Sequence, residues 1–492
     1  MLDTKENNHI DETKEKFIRL EHLKKIEEAG INPFPAKSTR TNNLSEALEM
    51  NEGKKVQTSG RLMSKRDMGR ICFCHLKDGG GTMQLVFSEK ELTRQDYKFF
   101  IKNFDIADFI EIEGEIFTTK KGEKSILVKK YKILTKSLLP LPDKYHGLQD
   151  EEMKLRKRYL DILSNEDVKE MFLRRSKFWK ATRDFLNEKG FIEVETPVLE
   201  TATGGADATP FTTHHNALDM DTYLRISMGE LWQKRLMVAG MEKTFEIGRQ
   251  FRNEGMDKEH LQDYTQMEFY WSYADYEMGM ELVEEMYRYI AKETWGTLKF
   301  DIGEFKDIDL DQKWERIDYV SVIKKELKID VLKSTDKELI EKLKELGVKY
   351  DKAETTGRLI DSLWKVVRKN IKGPAFLINV PVCVSPLAKR MESNPELTER
   401  FQPIIAGSEL GNGYSELNDP LDQESRFEEQ TKMKEAGDDE AQMHDKDFVE
   451  ALKHGMPPTC GFGFSERNFA FLENKPVRTC QIFPLMKPEE KL

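Results

Sequence analysis

Five short strand-like segments lie between residues 54 and 136, and they constrain the fold more than any other feature of the sequence. Turn signals separate them, including three consecutive glycines at 79–81, and one helical stretch around 89–103 interrupts them. Several short strands with a single helix predict a small closed β-barrel of the OB type. Such barrels commonly bind single-stranded nucleic acid, although a small barrel that binds nothing has the same pattern.

Helical segments flank this barrel on both sides. Apolar residues recur every third position from Phe17 to Ile26, which predicts an amphipathic helix over about 10–29 that stops near Gly30. A proline-punctuated segment at 138–143 follows the barrel, and a basic helical segment comes after it at 151–163. We therefore expect a helical extension over 1–53, an OB-fold domain over 54–138 and a linker over 139–160.

The remainder of the chain, residues 161–492, mixes long helices with strands. A long helix is followed by a predicted strand over 191–199. Residues of roughly 305–373 form a predicted helical insertion, in which Thr335 and Glu338 have the spacing of a capping box. This part of the chain is therefore predicted to be an α+β domain.

The length of 492 residues suggests more than one domain, and the composition excludes several classes of protein. No run of about 18 apolar residues occurs and the N-terminus lacks an apolar segment, so we expect neither a membrane span nor a secretory leader. Five cysteines without CxxC spacing predict neither a disulfide framework nor a zinc site, and they fit a reducing cytoplasm. Cys72 and Cys74 alternate in one strand, so both are expected to be buried on the same face.

The net charge of −11 at first argues against a nucleic-acid partner. The charge is unevenly divided, however, because residues 1–150 carry +3 and the remainder carries −14. A mildly basic front part is compatible with a nucleic-acid-binding barrel, since local charge matters more than the total. Some of the acidic excess behind it is expected to serve a site for a cation.

Charged residues alternate along two predicted strands, 245–254 and 265–275, which are joined by a loop over 255–263. An antiparallel pair of this kind presents Arg252, Glu254, Glu268 and Tyr270 toward one face. Such charges need partners, because an unpaired buried charge is costly. A functional pocket and a structural ion-pair network are both open interpretations of this pair alone.

Two further segments place glycines among polar residues. Residues 408–419 alternate carboxylates and amides, which is typical of a strand lining a pocket for magnesium or an ammonium group; an exposed edge strand is the alternative. In residues 457–467, Gly461 and Gly463 allow close packing beneath a ligand, and Arg467 at the start of the next helix is placed to hold a phosphate. Glycines in a tight turn are the alternative here.

Together these segments resemble the class II lysyl-tRNA synthetase family over about residues 15–488. The three class II signatures occur in order: GFIEVETPVL with Pro197 resembles motif 1, FRNE…MEFYWSYADY motif 2 and GFGFSER motif 3. The phrases GGADATPFTTHHNALDMDTYLRIS, VSPLAKR and GNGYSELNDP are more specific to this branch. The resemblance implies an N-terminal OB-fold β-barrel that reads the anticodon, a class II antiparallel sheet flanked by helices over 161–492, and an isologous homodimer with motif 1 in its interface.

The resemblance also implies a reaction and the residues that serve it. Lysine and ATP would form lysyl-adenylate, and the 3′ end of tRNA(Lys) would then accept the lysyl group in the cytoplasm. Catalysis would rest on Arg252 and Arg467, with Mg²⁺ held by Glu409. The positions matched for ATP are Arg252, Glu254, His260, Tyr264, Glu409 and Arg467. Those matched for lysine are Gly205, Glu230, Arg252, Glu268, Tyr270, Asn412 and Glu416, and those for the anticodon are Arg66, Phe73, Gln84 and Glu123.

Four positions depart from the family pattern. Gln402 stands where the family usually has a second carboxylate for the metal, and Cys383 stands where a glutamate is usual. The turn before Arg467 is one residue shorter than usual, and the segment before Glu230 is one residue longer. The number of Mg²⁺ ions and the register of Glu230 are therefore open at this point.

Three other functions are compatible with parts of the sequence. An aspartyl or asparaginyl relative would need cations deep in the pocket, where this chain has carboxylates, because burying carboxylates together is costly. A paralogue that lysylates a protein would typically lack the OB domain. A catalytically inactive binding module has only the shortened motif 3 in its favour, against the retained residues Arg252, Glu254, His260 and Arg467.

Overall fold

The fold was analysed in a computed structural model that describes residues 2–142, 148, 150–206, 208–255, 257, 259–350, 355–385, 387–435 and 445–489. The chain forms two compact units, Met1–Ser164 and Asn165–Leu492. Parts of the predicted linker (143–147 and 149) and of the predicted insertion (351–354) lie outside the described residues. None of the described helices combines the length and the hydrophobicity that crossing a bilayer requires.

A closed five-stranded barrel forms the centre of the N-terminal unit. Its described elements are α1 (Leu2–Glu28), α2 (Leu44–Glu49), β1 (Lys55–Asp67), β2 (Ile71–Lys77), β3 (Thr82–Ser88), α3 (Arg94–Asn103), β4 (Phe109–Thr118), β5 (Lys124–Thr135), α4 (Glu151–Arg156) and α5 (Arg158–Ser164). The strand order is β1-β2-β3-β5-β4, and β4 pairs back with β1. Only β3 and β5 pair in parallel within this barrel of described strands. The predicted closed barrel with one interrupting helix is therefore confirmed.

The N-terminal helix is longer than the sequence pattern indicated. It begins at Leu2 instead of near residue 10, and it ends at Glu28, before Gly30. Residues 2–9 contain neither proline nor glycine, so nothing in them stops the helix from extending beyond its amphipathic part.

The two faces of strand β2 differ: one packs into the barrel core and the other lies at the barrel surface. Cys72 and Cys74 are fully buried on one face, as predicted, and their Sγ atoms lie 3.7 Å apart. Phe73 and His75 lie on the opposite face and are half-buried. This alternation leaves Phe73 on the outer face of the barrel, where a ligand can reach it.

The second unit contains more elements, which surround one large sheet. They are α6 (Glu166–Glu188), β6 (Ile192–Glu193), β7 (Leu199–Glu200), β8 (Thr212–His215), β9 (Met220–Leu224), α7 (Glu230–Val238), β10 (Lys243–Phe251), β11 (Asp263–Ser272), α8 (Tyr276–Trp295), β12 (Lys299–Ile302), β13 (Phe305–Asp309), β14 (Glu315–Asp318), α9 (Tyr319–Leu327), α10 (Asp336–Glu345), α11 (Thr356–Val367), β15 (Ala375–Pro381), β16 (Leu397–Ile405), β17 (Ser408–Glu409), β18 (Asn412–Ser415), α12 (Pro420–Glu435), α13 (Lys446–Lys453), β19 (Thr459–Ser465) and α14 (Arg467–Leu472). Short 3₁₀ turns occur at Arg368–Asn370, Val382–Val384 and Val477–Cys480.

The large sheet has the order β14-β15-β16-β18-β19-β11-β10-β6, and β17 pairs with β16 beside this path. The strands from β15 to β10 are antiparallel, whereas the edge strands β14 and β6 run parallel to their neighbours. Apolar residues of α6 and α8, including Phe178 and Met286, share one buried core with Phe269 and Phe462 of the sheet. The predicted antiparallel sheet flanked by helices is confirmed at its centre, and its two parallel edges make it a mixed sheet.

The segment 191–199 is not the continuous strand that its sequence predicted. Only β6 and β7 at its two ends are strands, and the chain leaves the sheet between them. Pro197 has no amide hydrogen for a sheet partner, and the preceding Thr196 hydroxyl instead donates to Glu246 Oε2 at 2.6 Å.

The predicted helical insertion at 305–373 begins with two strands. Strand β13 pairs with β12, and β14 extends the edge of the large sheet beside β15. The helices of the insertion are α9, α10 and α11, which have an apolar core of their own. The capping box at Thr335 and Glu338 is confirmed at the start of α10.

Candidate active site

A cavity of about 430 Å³ opens above the centre of the large sheet, and it gathers residues that lie far apart in the sequence. Every position that the sequence matched for ATP or lysine lines this one cavity. These residues are Gly205, Glu230, Arg252, Glu254, His260, Tyr264, Glu268, Tyr270, Glu409, Asn412, Glu416 and Arg467.

Two glycines of β19 create the space for this cavity. Gly461 stands opposite Tyr270 on β11, and Gly463 stands opposite Glu268. A methyl group at Gly461 would overlap Glu416 Oε1, and one at Gly463 would lie 2.6 Å from Glu268 Cγ. The middle strand of the site therefore contributes its backbone as a floor, and the neighbouring strands supply the functional side chains.

Three carboxylates form the acidic part of the lining. Glu230 begins α7, Glu268 lies on β11 and Glu416 directly follows β18, and none is more than 6% exposed. The Tyr414 hydroxyl donates to Glu230 Oε1 at 2.6 Å, and the Tyr270 hydroxyl donates to Glu268 Oε2 at 3.0 Å. Buried carboxylates of this number favour a cationic ligand.

Burial raises the pKa of two of these carboxyl groups. The pKa of Glu268 rises to about 7 because of burial and of the neighbouring charge of Glu230. The pKa of Glu416 rises to about 8 because burial outweighs the opposing effect of the Lys234 ammonium. Near neutral pH these two groups therefore retain protons, and a bound cation would displace them.

The extra residue before Glu230 is absorbed in the turn that starts α7. Gly229 adopts a left-handed conformation with φ of +63°, and a side chain there would collide with Thr196. The turn places Glu230 in the cavity lining in spite of the longer segment.

Arg252 is the first basic residue of the lining, and it directly follows β10. Its Nε donates to the carbonyl oxygen of Ile226 at 3.3 Å, and its guanidinium carbon lies 5.9 Å from the ring centre of Tyr264. His260, on the loop before β11, has its Nδ1 2.8 Å from Asp257 Oδ2. This part of the cavity thus offers two nitrogen-bearing side chains and an aromatic ring.

Arg467 is another basic residue of the lining, and it begins α14 after the shortened turn. Its Nη1 donates to the carbonyl oxygen of Glu409 at 2.9 Å. Its Nη2 contacts the Ser408 hydroxyl and forms an ion pair with Glu259. The cavity lining holds the guanidinium groups of Arg252, Arg400 and Arg467, and several such groups together are suited to an anion with several oxygen atoms, such as a phosphate chain.

The surroundings of Glu409 bear on metal binding. Its carboxylate accepts hydrogen bonds from Trp364 Nε1 at 2.5 Å and from Gln402 Nε2 at 3.2 Å, and Arg368 Nε lies 3.8 Å away. Among the residues that the structure describes, no cluster of three or more His, Cys, Asp or Glu side chains could hold a metal ion. Glu409 thus offers one carboxylate, which is a sufficient protein ligand for Mg²⁺ when substrate phosphates supply other oxygens.

The four residues matched for the anticodon lie on the barrel. Arg66 of β1 stands opposite Phe73 of β2. Gln84 of β3 donates from Nε2 to Glu123 Oε2 at 2.7 Å and accepts at Oε1 from Ser125 at 2.9 Å. The amide of Gln84 is therefore already engaged, and any base that it reads must exchange one of these partners.

The sequence did not single out several residues that complete these two sites. Lys234 Nζ lies 2.9 Å from Glu230 Oε1, and Arg400 Nε donates to Asn412 Oδ1 at 2.7 Å. In the barrel, His75 Nε2 lies 3.4 Å from Glu123 Oε1. The i, i+4 spacing of Glu230 and Lys234 was the one available signal, because such pairs share a helix face.

Comparison with known protein families agrees with this architecture. Residues 150–487 match the family described as class II tRNA synthetases (D, K and N). Residues 56–134 match the OB-fold nucleic acid binding domain. The sheet, its cavity and the barrel together are those of an aminoacyl-tRNA synthetase of class II.

Curated relatives narrow this class to one branch. Lysine–tRNA ligase of Thermosipho africanus is 42% identical over 96% of this chain and 95% of the relative. That of Thermotoga maritima is 42% identical over 96% of each chain, and that of Thermoanaerobacter pseudethanolicus is 43% identical over 98% of each. The chain belongs to the lysine–tRNA ligase family.

Proposed function

We propose that this chain activates L-lysine with ATP and transfers the lysyl group to the 3′ end of tRNA(Lys) in protein synthesis. In the first step the lysine carboxylate attacks the α-phosphorus of ATP, and pyrophosphate leaves. In the second step a ribose hydroxyl at the end of the tRNA attacks the lysyl carbonyl, and AMP leaves. The observation that carries the proposal is the single cavity in which three buried carboxylates lie together with Arg252 and Arg467.

The basic residues are assigned to ATP. Arg252 holds the α-phosphate and the lysine carboxylate, and it stabilises the charge that develops during attack. The adenine ring stacks between Tyr264 and Arg467. Arg467 also reaches the γ-phosphate. It gives up its ion pair with Glu259 for this contact, because a phosphate carries more charge than a carboxylate. Glu254 contacts the adenine base. His260 contacts the outer phosphates.

The acidic residues are assigned to lysine. Glu230, Glu268 and Glu416 receive its two ammonium groups, together with Tyr270, Asn412 and a backbone contact at Gly205. Aspartate in this place would add a further carboxylate to three buried ones, which excludes the aspartyl alternative on electrostatic grounds.

Magnesium is assigned to Glu409, which has a carboxylate at the cavity wall. The ion, when bound with ATP, neutralises phosphate charge and so favours loss of pyrophosphate. Gln402 contributes a neutral amide where a second carboxylate is usual, so this chain offers the ion one anionic group at these two positions.

An exchange assay across amino acids tests the proposed function. The protein is incubated with ATP, labelled pyrophosphate and each amino acid in turn, and lysine is expected to give the only strong exchange. Strong exchange with aspartate or asparagine and none with lysine would refute the proposal.

Lysine binding should strengthen as the pH rises from about 6 to about 9, because Glu268 and Glu416 must lose their protons to receive ammonium groups. Both carboxyls have a raised pKa in the empty cavity, and a bound cation stabilises their ionised form. Calorimetry at several pH values, in buffers with different ionisation enthalpies, should therefore show proton release on binding. Affinity that stays level across this range would contradict the assignment.

The barrel is assigned to the anticodon of tRNA(Lys). Phe73 stacks on a base from the outer face of β2, Gln84 and Glu123 bond to base edges, and Arg66 approaches the backbone. Phe73 lies on the face of β2 opposite the buried Cys72 and Cys74, which supports a role in binding and not in the barrel core.

The variant Phe73→Ala should reduce tRNA charging about tenfold or more, which is the effect of losing one base stack, while leaving lysine-dependent exchange unchanged. Charging and exchange are measured on the same preparation. Phe99→Ala, which removes a ring packed against the barrel core, is the structural comparison. Equal loss of both activities in Phe73→Ala would show that this ring is structural.

We also propose a homodimer that works in the cytoplasm. Ile192, Val198 and Leu199 in the motif 1 segment are exposed, and covering them would bury apolar surface against a second copy. All five cysteines are free, which fits a reducing compartment.

We also propose a division of the chain into four parts. Residues 1–53 are the N-terminal extension, 54–138 the anticodon-binding domain, 139–160 the linker and 161–492 the catalytic domain.

A further inference from the structure

Lys234 is a buried cation that the proposed mechanism does not use. It lies on α7, one helical turn after Glu230, and it is only 1% exposed. Its Nζ lies 2.9 Å from Glu230 Oε1 and 2.6 Å from Glu416 Oε2. A buried ammonium is costly unless it is paired, so this residue and the two carboxylates form one electrostatic unit.

Lys234 engages only one oxygen of each carboxylate. The second oxygen of Glu230, Oε2, faces Gly205, since a methyl group there would lie 3.1 Å from it. The second oxygen of Glu416, Oε1, faces Gly461. Both glycines line the cavity, whereas Lys234 does not. The ammonium thus stands behind the two carboxylates and turns one oxygen of each toward the ligand space.

The charges around Lys234 also balance those of the substrate. Glu230, Glu268 and Glu416 carry three negative charges when ionised, and Lys234 reduces the sum to −2. Free lysine brings two ammonium groups, and its carboxylate is assigned to Arg252. Two uncharged rings also lie close to this ammonium: the ring centres of Tyr414 and Phe448 are 5.7 and 5.8 Å from Nζ.

We infer that Lys234 is a positioning residue for lysine recognition, which aims one oxygen of Glu230 and one of Glu416 at the ligand space and offsets one carboxylate charge, so that two negative charges face two ammonium groups once lysine is bound. This inference rests on the proposed function, because it assumes that lysine is the amino acid bound. The raised pKa of Glu416, which the Lys234 ammonium partly offsets, is in agreement with it.

Replacing the cation with a neutral side chain of similar length tests the inference. Lys234→Met should raise KM for lysine about 100-fold at pH 7, the size expected for losing a charge-assisted contact, with little change in KM for ATP. The loss should shrink to about tenfold at pH 9, because the Glu416 carboxyl then ionises more readily without the ammonium. Exchange kinetics and lysine calorimetry at both pH values provide the measurements.

A double variant separates positioning from mere structural support. In Lys234→Met the Glu416 carboxyl loses the ammonium that lowers its pKa, so it is expected to stay protonated at pH 7 even with lysine bound, and adding Glu416→Gln should cost little more. The recovery at pH 9 should then disappear, because no ionisable group is left at position 416. Additive losses in the double variant would contradict the inference.

The neighbouring residue supplies a matched control. Arg235 lies on the same helix, pairs with Asp445 at 2.7 Å and is not part of the cavity lining. Arg235→Met should leave KM for lysine within about twofold, as for a half-buried structural pair. Lys234→Gln, measured in the same way, provides the test if Lys234→Met does not fold.

The outcomes distinguish this inference from the proposed function. A folded Lys234→Met with unchanged KM for lysine, or with a loss of equal size at pH 7 and pH 9, would overturn the role of Lys234. Absence of lysine-dependent exchange in the unaltered protein would instead refute the proposed function.

Discussion

Replacing Arg252 with alanine is expected to lower lysine-dependent exchange about 1000-fold, because the guanidinium contacts the reacting phosphate and carboxylate in the transition state. Arg252 makes one hydrogen bond to the Ile226 carbonyl oxygen, at 3.3 Å, so we expect the fold to tolerate removal of the side chain. Exchange kinetics, circular dichroism and thermal unfolding on the same sample measure both consequences. A variant with near-normal exchange would remove Arg252 from the catalytic site.

A second arginine of the same hairpin serves as the control for this variant. Arg249 lies on β10, pairs with Asp263 and is not among the residues that line the cavity. Arg249→Ala removes an equal side chain and one ion pair of the hairpin, so it reports the structural cost of such a change. We expect its exchange rate to stay within about threefold of the original, as surface pairs contribute little.

Replacing Glu268 with glutamine should lower kcat/KM for lysine about 300-fold, because the substitution removes a buried charge that faces an ammonium group. The variant is expected to fold, since its hydrogen bonds can all be kept. The glutamine oxygen would accept from Met228 N and Gln266 Nε2, as Glu268 Oε1 does now. Its amide nitrogen would donate to the Tyr270 hydroxyl, which can turn to accept.

Tyr270→Phe is the graded companion of this substitution. It removes the hydroxyl that donates to Glu268 Oε2 at 3.0 Å but keeps the carboxyl charge, so the loss for lysine should be nearer to tenfold. KM for ATP should change little in either variant. If Glu268→Gln weakened ATP and lysine equally, Glu268 would have a general structural role instead of one in amino-acid recognition.

The strands that form the site could be predicted because their alternation is local. Glu268 and Tyr270 are two residues apart, and strand geometry alone places them on one face of β11. The glycines at 461 and 463 and the arginine at 467 are likewise adjacent in sequence and in space. Short-range patterns of this type survive folding, which is why these residues all meet in the cavity.

The remaining features depend on contacts that the sequence does not encode locally. Nothing near residue 234 indicates that the Lys234 ammonium, and not the Arg235 guanidinium, faces Glu416, because the choice depends on how α7 packs on the sheet. The break at Thr196 similarly reflects the distant Glu246, which accepts from its hydroxyl. The hydrogen bonds of Gln84 with Glu123 and Ser125 join β3 to the start of its neighbour β5, a pairing of strands that are not consecutive in the sequence.

The glycine floor of β19 determines how long an amino acid the enzyme can accept. Because positions 461 and 463 carry no side chains, the pocket reaches down to the main chain of the sheet. Its depth and its charge are coupled, because the glycines lie directly against Glu416 and Glu268, which supply part of that charge. A redesign toward a shorter diamino acid could not simply add methyl groups to this floor, because a methyl group at position 461 would displace Glu416 and one at position 463 would displace Glu268.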